Sequence, residues 1–344
     1  MRGKGFKAGL GGLLAVVIAI TVTFSASCAR APITPVIRIA DMCWQSNVPV
    51  INLMKIILED ELGYEVEFVP TLWAGPTFDA LTTEPSDVDI FAECWLPNLQ
   101  PLVDEYVTDK GQAEVVATSY VGRQGFVVPT YVIEGDPNRG IEPMAPDLRS
   151  VWQLNDYVDL FDRDHDGRGE LIGGPEGWLC TEINEWQLES WELSYDQVIQ
   201  DEWVSWSMLT SAYYEGEPIL CYGYEPTWPT LLFGLTWLET PAYSDEAWAD
   251  YEIWKDWKAG MDVTWEPGIA CGYPPSEVLV VVTDEFSQEY PDAYRFLQNW
   301  SIPVEDLTDL SVQIELHRLP AAYVASEYIR EHQELVDQWL AGIE

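Results

Sequence analysis

The segment Gly173-Gly174-Pro175-Glu176-Gly177-Trp178-Leu179-Cys180-Thr181-Glu182-Ile183-Asn184 places two kinds of chemistry side by side. Glycine and proline force a sharp turn, and Thr181-Glu182-Ile183-Asn184-Glu185 reads as the start of a helix. A turn that feeds a helix leaves backbone N–H groups without intrahelical acceptors, a setting for an anion. The Trp178 indole stands at the mouth of the same turn. Its π face suits a cation that has no hydrogen-bond donors of its own. Anion donors beside a cation wall describe a pocket for a small zwitterion. The competing reading of these residues is a buried tryptophan beside an ordinary helix cap.

Other aromatics bear on that choice through the elements that must carry them. Val36–Ala40 reads as a strand, followed by a loop that contains Trp44. Val50–Glu61 has its apolar residues at helical spacing, and Gly63 stops it. Tyr64–Val69 alternates as a strand, Thr77–Leu81 is a short helix, and Val88–Ala92 is a strand that runs into Glu93-Cys94-Trp95-Leu96-Pro97. This βαβαβ order predicts an α/β fold with a parallel sheet and right-handed crossovers. Ligands bind beyond the carboxyl ends of such strands, where both Trp44 and Trp95 fall. A core role for either one alone is the ordinary alternative, and two at equivalent positions favour a cleft.

Further on, Gln124–Val132 is an apolar stretch interrupted by Pro129, which a central strand rejects. It is expected to pass between two domains. Helical patterns over Trp186–Trp206 break at Ser194-Tyr195, and Ile219–Trp228 reads as a strand ending in aromatics that include Tyr224. Trp248–Trp257 reads as a helix whose rings pack. The β-branched run Val278–Thr283 predicts a buried strand returning to the first domain, which helices over Asp284–Trp300 and Ala321–Leu340 would close.

Asp162, Asp164 and Asp166, followed by Gly167, reproduce the first half of a calcium-binding loop, whose alternating carboxylates suit a hard cation. The twelfth position, which should hold a bidentate Glu, is Gly173. The Asp162–Glu170 loop is therefore a partial candidate for a structural Ca2+, against the alternative of a solvated acidic turn. No other cofactor is expected. The six cysteines contain no CxxC pair, which argues against zinc. Disulfides and free buried thiols both remain compatible with their positions.

Net charge is −41, from 17 Lys+Arg against 58 Asp+Glu. Such acidity argues against nucleic acid as a partner and against charge-driven binding to an anionic membrane. Tryptophan and tyrosine number 17 each, too many for cores alone. Residues Met1–Ala31 read as a targeting segment, with Arg2, Lys4 and Lys7 preceding the apolar run Gly9–Phe24. Ser25-Ala26-Ser27-Cys28 is similar to the lipidation motif of bacterial lipoproteins, which makes Cys28 the candidate lipidated residue and the protein exported, lipid-anchored or periplasmic. Soluble secretion and an uncleaved N-terminal anchor are the alternatives, and all of these export the protein. No nucleophile elbow, Walker loop, dinucleotide fingerprint or HExxH motif is present. The expectation is binding, not catalysis.

Taken in order, Asp41-Met42-Cys43-Trp44, Leu62-Gly63-Tyr64-Glu65-Val66, Glu93-Cys94-Trp95-Leu96-Pro97, Phe161–Gly167, Pro175–Cys180 and Tyr222-Gly223-Tyr224-Glu225-Pro226 resemble the glycine betaine/choline/carnitine-binding proteins of ABC importers. The resemblance spans about Val36 to Leu340. It implies a two-lobed periplasmic-binding-protein fold of type II, two Rossmann-like domains whose chain crosses the hinge twice. Lobe 1 would hold 36–127 and 278–344, and lobe 2 would hold 128–277. It implies an aromatic cage for a quaternary ammonium from Trp44 or Trp95, Trp178 and Tyr224, with Phe126 at a position aromatic in choline-type members. The amides of Leu179 and Cys180 match the donors that hold a ligand carboxylate, and a membrane permease is the implied partner. Leu99 stands where some betaine binders have His, Ser46 where choline binders tend to have Asp, and Gly174 where some members have a Cys bridged to the Cys180-like residue. An exported carbohydrate-binding or carbohydrate-active protein is the alternative use of an aromatic cleft.

Overall fold

The structure is a computed structural model and describes residues 36–42, 44–71 and 73–343. The Met1–Ala31 stretch read as a targeting segment, with Cys28, and also Cys43, lie outside the described residues. Strand β1 (Val36–Asp41) buries Ile37 and Ile39 and pairs in parallel with β2 (Glu65–Pro70) and β3 (Ile90–Trp95). The helices Asn47–Ile56 and Ala74–Thr82 make the two connections. The βαβαβ expectation is met.

Strand β4 (Ala113–Pro129) is the longest, at 17 residues. Its first part pairs antiparallel with β9 (Ser276–Thr283), which lies between β3 and β4. From Arg123 onward β4 instead pairs with β7 (Leu220–Glu225), and its end pairs with β8 (Leu235–Trp237). Parallel strands β5 (Gly169–Ile172) and β6 (Tyr195–Val198) complete the order β2-β1-β3-β9-β4-β7-β5-β6. Register shifts along β4 against β9, between Val115 and Ala117 and between Thr118 and Tyr120, bend the strand as it passes from one group of strands to the other. Pro129 is the last residue of β4, so the ladder loses no interior donor to it.

Three strands escape a sequence reading. Strands β5 and β6 have four residues each and β8 has three, too short to show a period. The break at Ser194-Tyr195 is in fact the start of β6, where the Tyr195 ring lies against Gly169. The helix Asp245–Lys258 is present, and its Trp254 is buried with its N–H donated to Glu189, as packing requires. The helix Ala321–Glu331 closes back on Asn47–Ile56. No helix of the described residues is long and apolar enough to cross a membrane.

One close approach ties this topology to the pocket. A Cβ at Gly122, where β4 leaves β9, would stand 2.6 Å from the Glu225 carbonyl oxygen and 2.7 Å from the Trp95 ring. Gly122→Ala must therefore push Trp95 or the end of β7 aside. We expect a loss of about 1–3 kcal/mol, read as a lower urea midpoint with an unchanged slope.

Candidate functional site

Carboxyl ends of strands deliver the walls. Trp44 follows β1, Trp95 ends β3, Tyr222 and Tyr224 lie on β7, and Trp178 follows the turn after β5. These rings line one cavity with an empty volume of about 560 Å³, its open mouth included. Trp44 meets Trp178 edge-on at 5.7 Å between centroids, Trp95 meets Tyr224 at 5.7 Å, and Trp178 meets Tyr224 at 6.0 Å. In near-perpendicular pairs of this kind one ring's edge is held against its neighbour's face. Rings from the β1–β3 side and the β5–β7 side therefore touch across the cavity. Trp95, Tyr224, Tyr120 and Trp206 belong to the main hydrophobic core, which fixes these walls from behind.

The polar end is built by the helix Leu179–Ser190, whose N-cap is Trp178. An indole offers no acceptor to the first-turn amides, and no side-chain cap forms. Thr181 donates its amide to the Trp178 carbonyl, whereas Leu179 and Cys180 hold the first two helical positions, whose N–H groups have no intrahelical acceptor. Both residues line the cavity, so anion donors and the Trp178 ring come from consecutive residues. Opposite them, the Asn98 amide donates to Gln124 at 3.0 Å, and Gln124 also accepts from the Tyr222 hydroxyl at 2.7 Å and donates to Ser276 at 2.8 Å. No Asp, Glu, Lys or Arg is among the described residues that line the cavity.

Charge lies one residue behind the rings. Glu93 is fully buried on β3 and accepts from the Trp44 indole, from Ser46 at 2.8 Å and from the Tyr120 hydroxyl. Glu202, 6% exposed, accepts from the Tyr224 hydroxyl, from the Trp206 indole at 3.2 Å and from the Gln45 amide at 3.3 Å. Burial pushes both carboxyls up to about 7 against these hydrogen bonds, which pull the other way.

Trp44, Trp95, Trp178, Leu179, Cys180 and Tyr224 are thus brought together. Phe126 is not: it is buried against Trp191 at 5.9 Å in a separate core, on a part of β4 that has already left the cavity. Leu99 also lines the cavity. Asp162, Asp164 and Asp166 bring one carboxylate oxygen each within 4.8 Å of one another. Their oxygens also accept from the amides of Asp166, Gly167 and Arg168. Cys94, Cys180, Cys221 and Cys271 are free and buried. A Cβ at Gly174 would lie 3.2 Å from the Cys180 sulfur.

Sequence reasoning missed Trp73, which covers the mouth with its N–H 3.4 Å from the Glu176 carbonyl and its ring over Gly177. A loop tryptophan carries no periodic signal. It gave no role to Glu93, although a carboxylate in a strand buried at all six positions is itself a signal. Glu202 follows Asp201 in a polar stretch and is indistinguishable there from a helix-start acid.

Fold and pocket together define a periplasmic-binding-protein architecture of type II. Among solved structures, the fold is similar to an ABC-transporter choline-binding protein in complex with choline, with a TM-score of 0.66 and 18% identity over 90% of this chain and 92% of that one. It is also similar to lactococcal OpuAC in its closed conformation complexed with glycine betaine, with a TM-score of 0.65 and 17% identity over 89% and 99% of the two chains. Among curated relatives, the glycine betaine/proline betaine-binding periplasmic protein of Salmonella typhimurium is 20% identical over 291 residues, 81% of this chain and 78% of that protein. Residues 35–331 match the family described as the substrate binding domain of ABC-type glycine betaine transport systems, and the chain belongs to that family. These are transport binding proteins and not enzymes, which displaces the carbohydrate-directed alternative.

The two buried carboxyls make stability depend on pH. Folded, they hold protons up to about pH 7, against an ordinary value of 4.5. Between these values the folded state binds more protons than the unfolded one, so their contribution is full below the ordinary value and is lost as pH rises through the folded one. Relative to a Glu93→Gln/Glu202→Gln variant, the wild-type melting temperature should fall between about pH 5 and about pH 8. A difference independent of pH would refute the assignment.

Proposed function

We propose that this chain is an exported substrate-binding protein that captures a quaternary-ammonium solute and delivers it to an ABC permease. The solute is glycine betaine or a relative of it such as choline, carnitine or proline betaine. The observation that carries this reading is a pocket walled by Trp44, Trp95, Trp178 and Tyr224 with no charged side chain among its described lining residues. A trimethylammonium head spreads its charge over methyl groups and donates no conventional hydrogen bond. Water holds it loosely, and carboxylates cannot chelate it, but π faces can surround it. Each face contributes about 0.5–2 kcal/mol when desolvated.

The Leu179 and Cys180 amides suit a carboxylate carried by the same ligand, at the positive end of a helix dipole. Ring pairs that touch across the pocket support closure around a ligand that bridges both sides, since such a ligand favours the closed form by its extra contacts there. Relatives named as periplasmic proteins, together with the Met1–Ala31 segment, support export. Attachment through a lipid on Cys28 is part of the same proposal.

Isothermal titration with glycine betaine, proline betaine, choline and carnitine tests it. We expect micromolar affinity for at least one, about −8 kcal/mol. Trp178→Ala should weaken that ligand by about tenfold or more. Trp152→Ala, which removes a ring 58% exposed outside the pocket, should leave affinity intact. No heat with any of the four, in low and in high salt, would sink the reading.

A further inference from the structure

We propose that Glu93 and Glu202 are positioning residues that supply the pocket's missing negative charge, so that it selects a cationic head over a neutral head of the same shape. This rests on the quaternary-ammonium reading above and adds the source of its charge discrimination.

The geometry points there from both sides. Glu93 takes the Trp44 indole N–H and the Ser46 hydroxyl on one oxygen and the Tyr120 hydroxyl on the other. Tyr120 in turn stands edge-on to Trp95 at 5.8 Å. Glu202 takes the Tyr224 hydroxyl and the Trp206 indole on one oxygen. Its other oxygen takes the Gln45 amide, in the loop that carries Trp44 from the opposite side of the pocket. A ring that donates its edge to a carboxylate is polarised toward a more negative face, which is the face a cation meets.

Neither carboxylate forms an ion pair with Lys, Arg or His among the described residues. Burying an anion without a partner charge is costly, and hydrogen-bond acceptance alone needs no charge, because a neutral amide oxygen would serve. A positively charged ligand in the cavity, on the other side of the rings, is the partner both carboxylates lack. The titratable groups facing Glu93 are Tyr120 and Tyr224. Those facing Glu202 are Tyr224, Cys180 and Glu315, the last 3.9 Å from Arg318. Burial raises the tyrosines and the thiol well above neutrality, so they stay uncharged there. Because Glu93 and Glu202 are held up to about 7, a bound cation shifts both toward the ionised form and releases protons.

The test compares each trimethylammonium ligand with its carbon counterpart: choline with its tert-butyl analogue, and glycine betaine with tert-butylacetate. Glu93→Gln and Glu202→Gln should each weaken the cationic ligand by about tenfold, while the carbon counterpart binds unchanged or better. Equal losses for both members of a pair would reduce the carboxylates to structural acceptors and overturn the proposal, as would unchanged discrimination. A second measurement needs only the wild type. Near neutral pH, titration in buffers of different ionisation heat should show proton release with the cation and none with the carbon counterpart. Equal proton counts overturn the proposal even if the variants fail to fold. Wild-type protein that binds no trimethylammonium compound overturns the reading of the site itself, a result distinct from binding without discrimination.

Discussion

Everything at this pocket depends on hydrogen bonds that point away from it. Trp44 and Tyr224 each donate a polar edge to a buried carboxylate while lining the cavity. Without such acceptors, an indole N–H or phenol O–H in the core would be left unsatisfied, and the ring would turn to find water. The acceptors fix ring orientation, and the edge-on contacts among Trp44, Trp178, Tyr224 and Trp95 then lock one ring by the next.

The topology is what makes this possible. Parallel strands deliver Trp44 and Trp95 from one side and the Trp178 turn from the other, all beyond strand carboxyl ends. Strand β4 runs unbroken between the two groups of strands, with β9 beside its first part, so both walls are referred to a common backbone. Glycine at 122 lets the Trp95 ring lie directly against that backbone. Substituted, the same position would transmit a packing fault straight to the cavity wall.

Much of this was legible in the sequence, for reasons that differ by residue. The first βαβαβ unit showed itself through length and period, and Trp44 and Trp95 became candidates because strand ends are where such sheets bind. Trp178 was legible because glycine and proline mark its turn. Phe126 was placed by resemblance alone; it lies two residues beyond Gln124, the last β4 residue lining the cavity, and its ring meets Trp191 in a separate core. Trp73 and Glu202 were invisible because their roles depend on meeting residues more than a hundred positions away, Glu176 and Gln45 respectively. Strands β5, β6 and β8 were too short for any periodic signal, and are held by their neighbours more than by their own composition.

The adjacency of Trp178 to Leu179 and Cys180 has a geometric consequence. The ring and the amides belong to neighbouring links of one chain, so with the ring held by Trp44 and Tyr224 the span between the proposed cation wall and anion donors is short and fixed. That span acts as a ruler. On the proposed function, a zwitterion whose two ends fit it is accepted whole, and one with a longer spacer must fold back on itself or surrender one end. For a longer solute, the cation would have to be met by a ring farther from these amides, such as Trp95 or Tyr224 on the far wall.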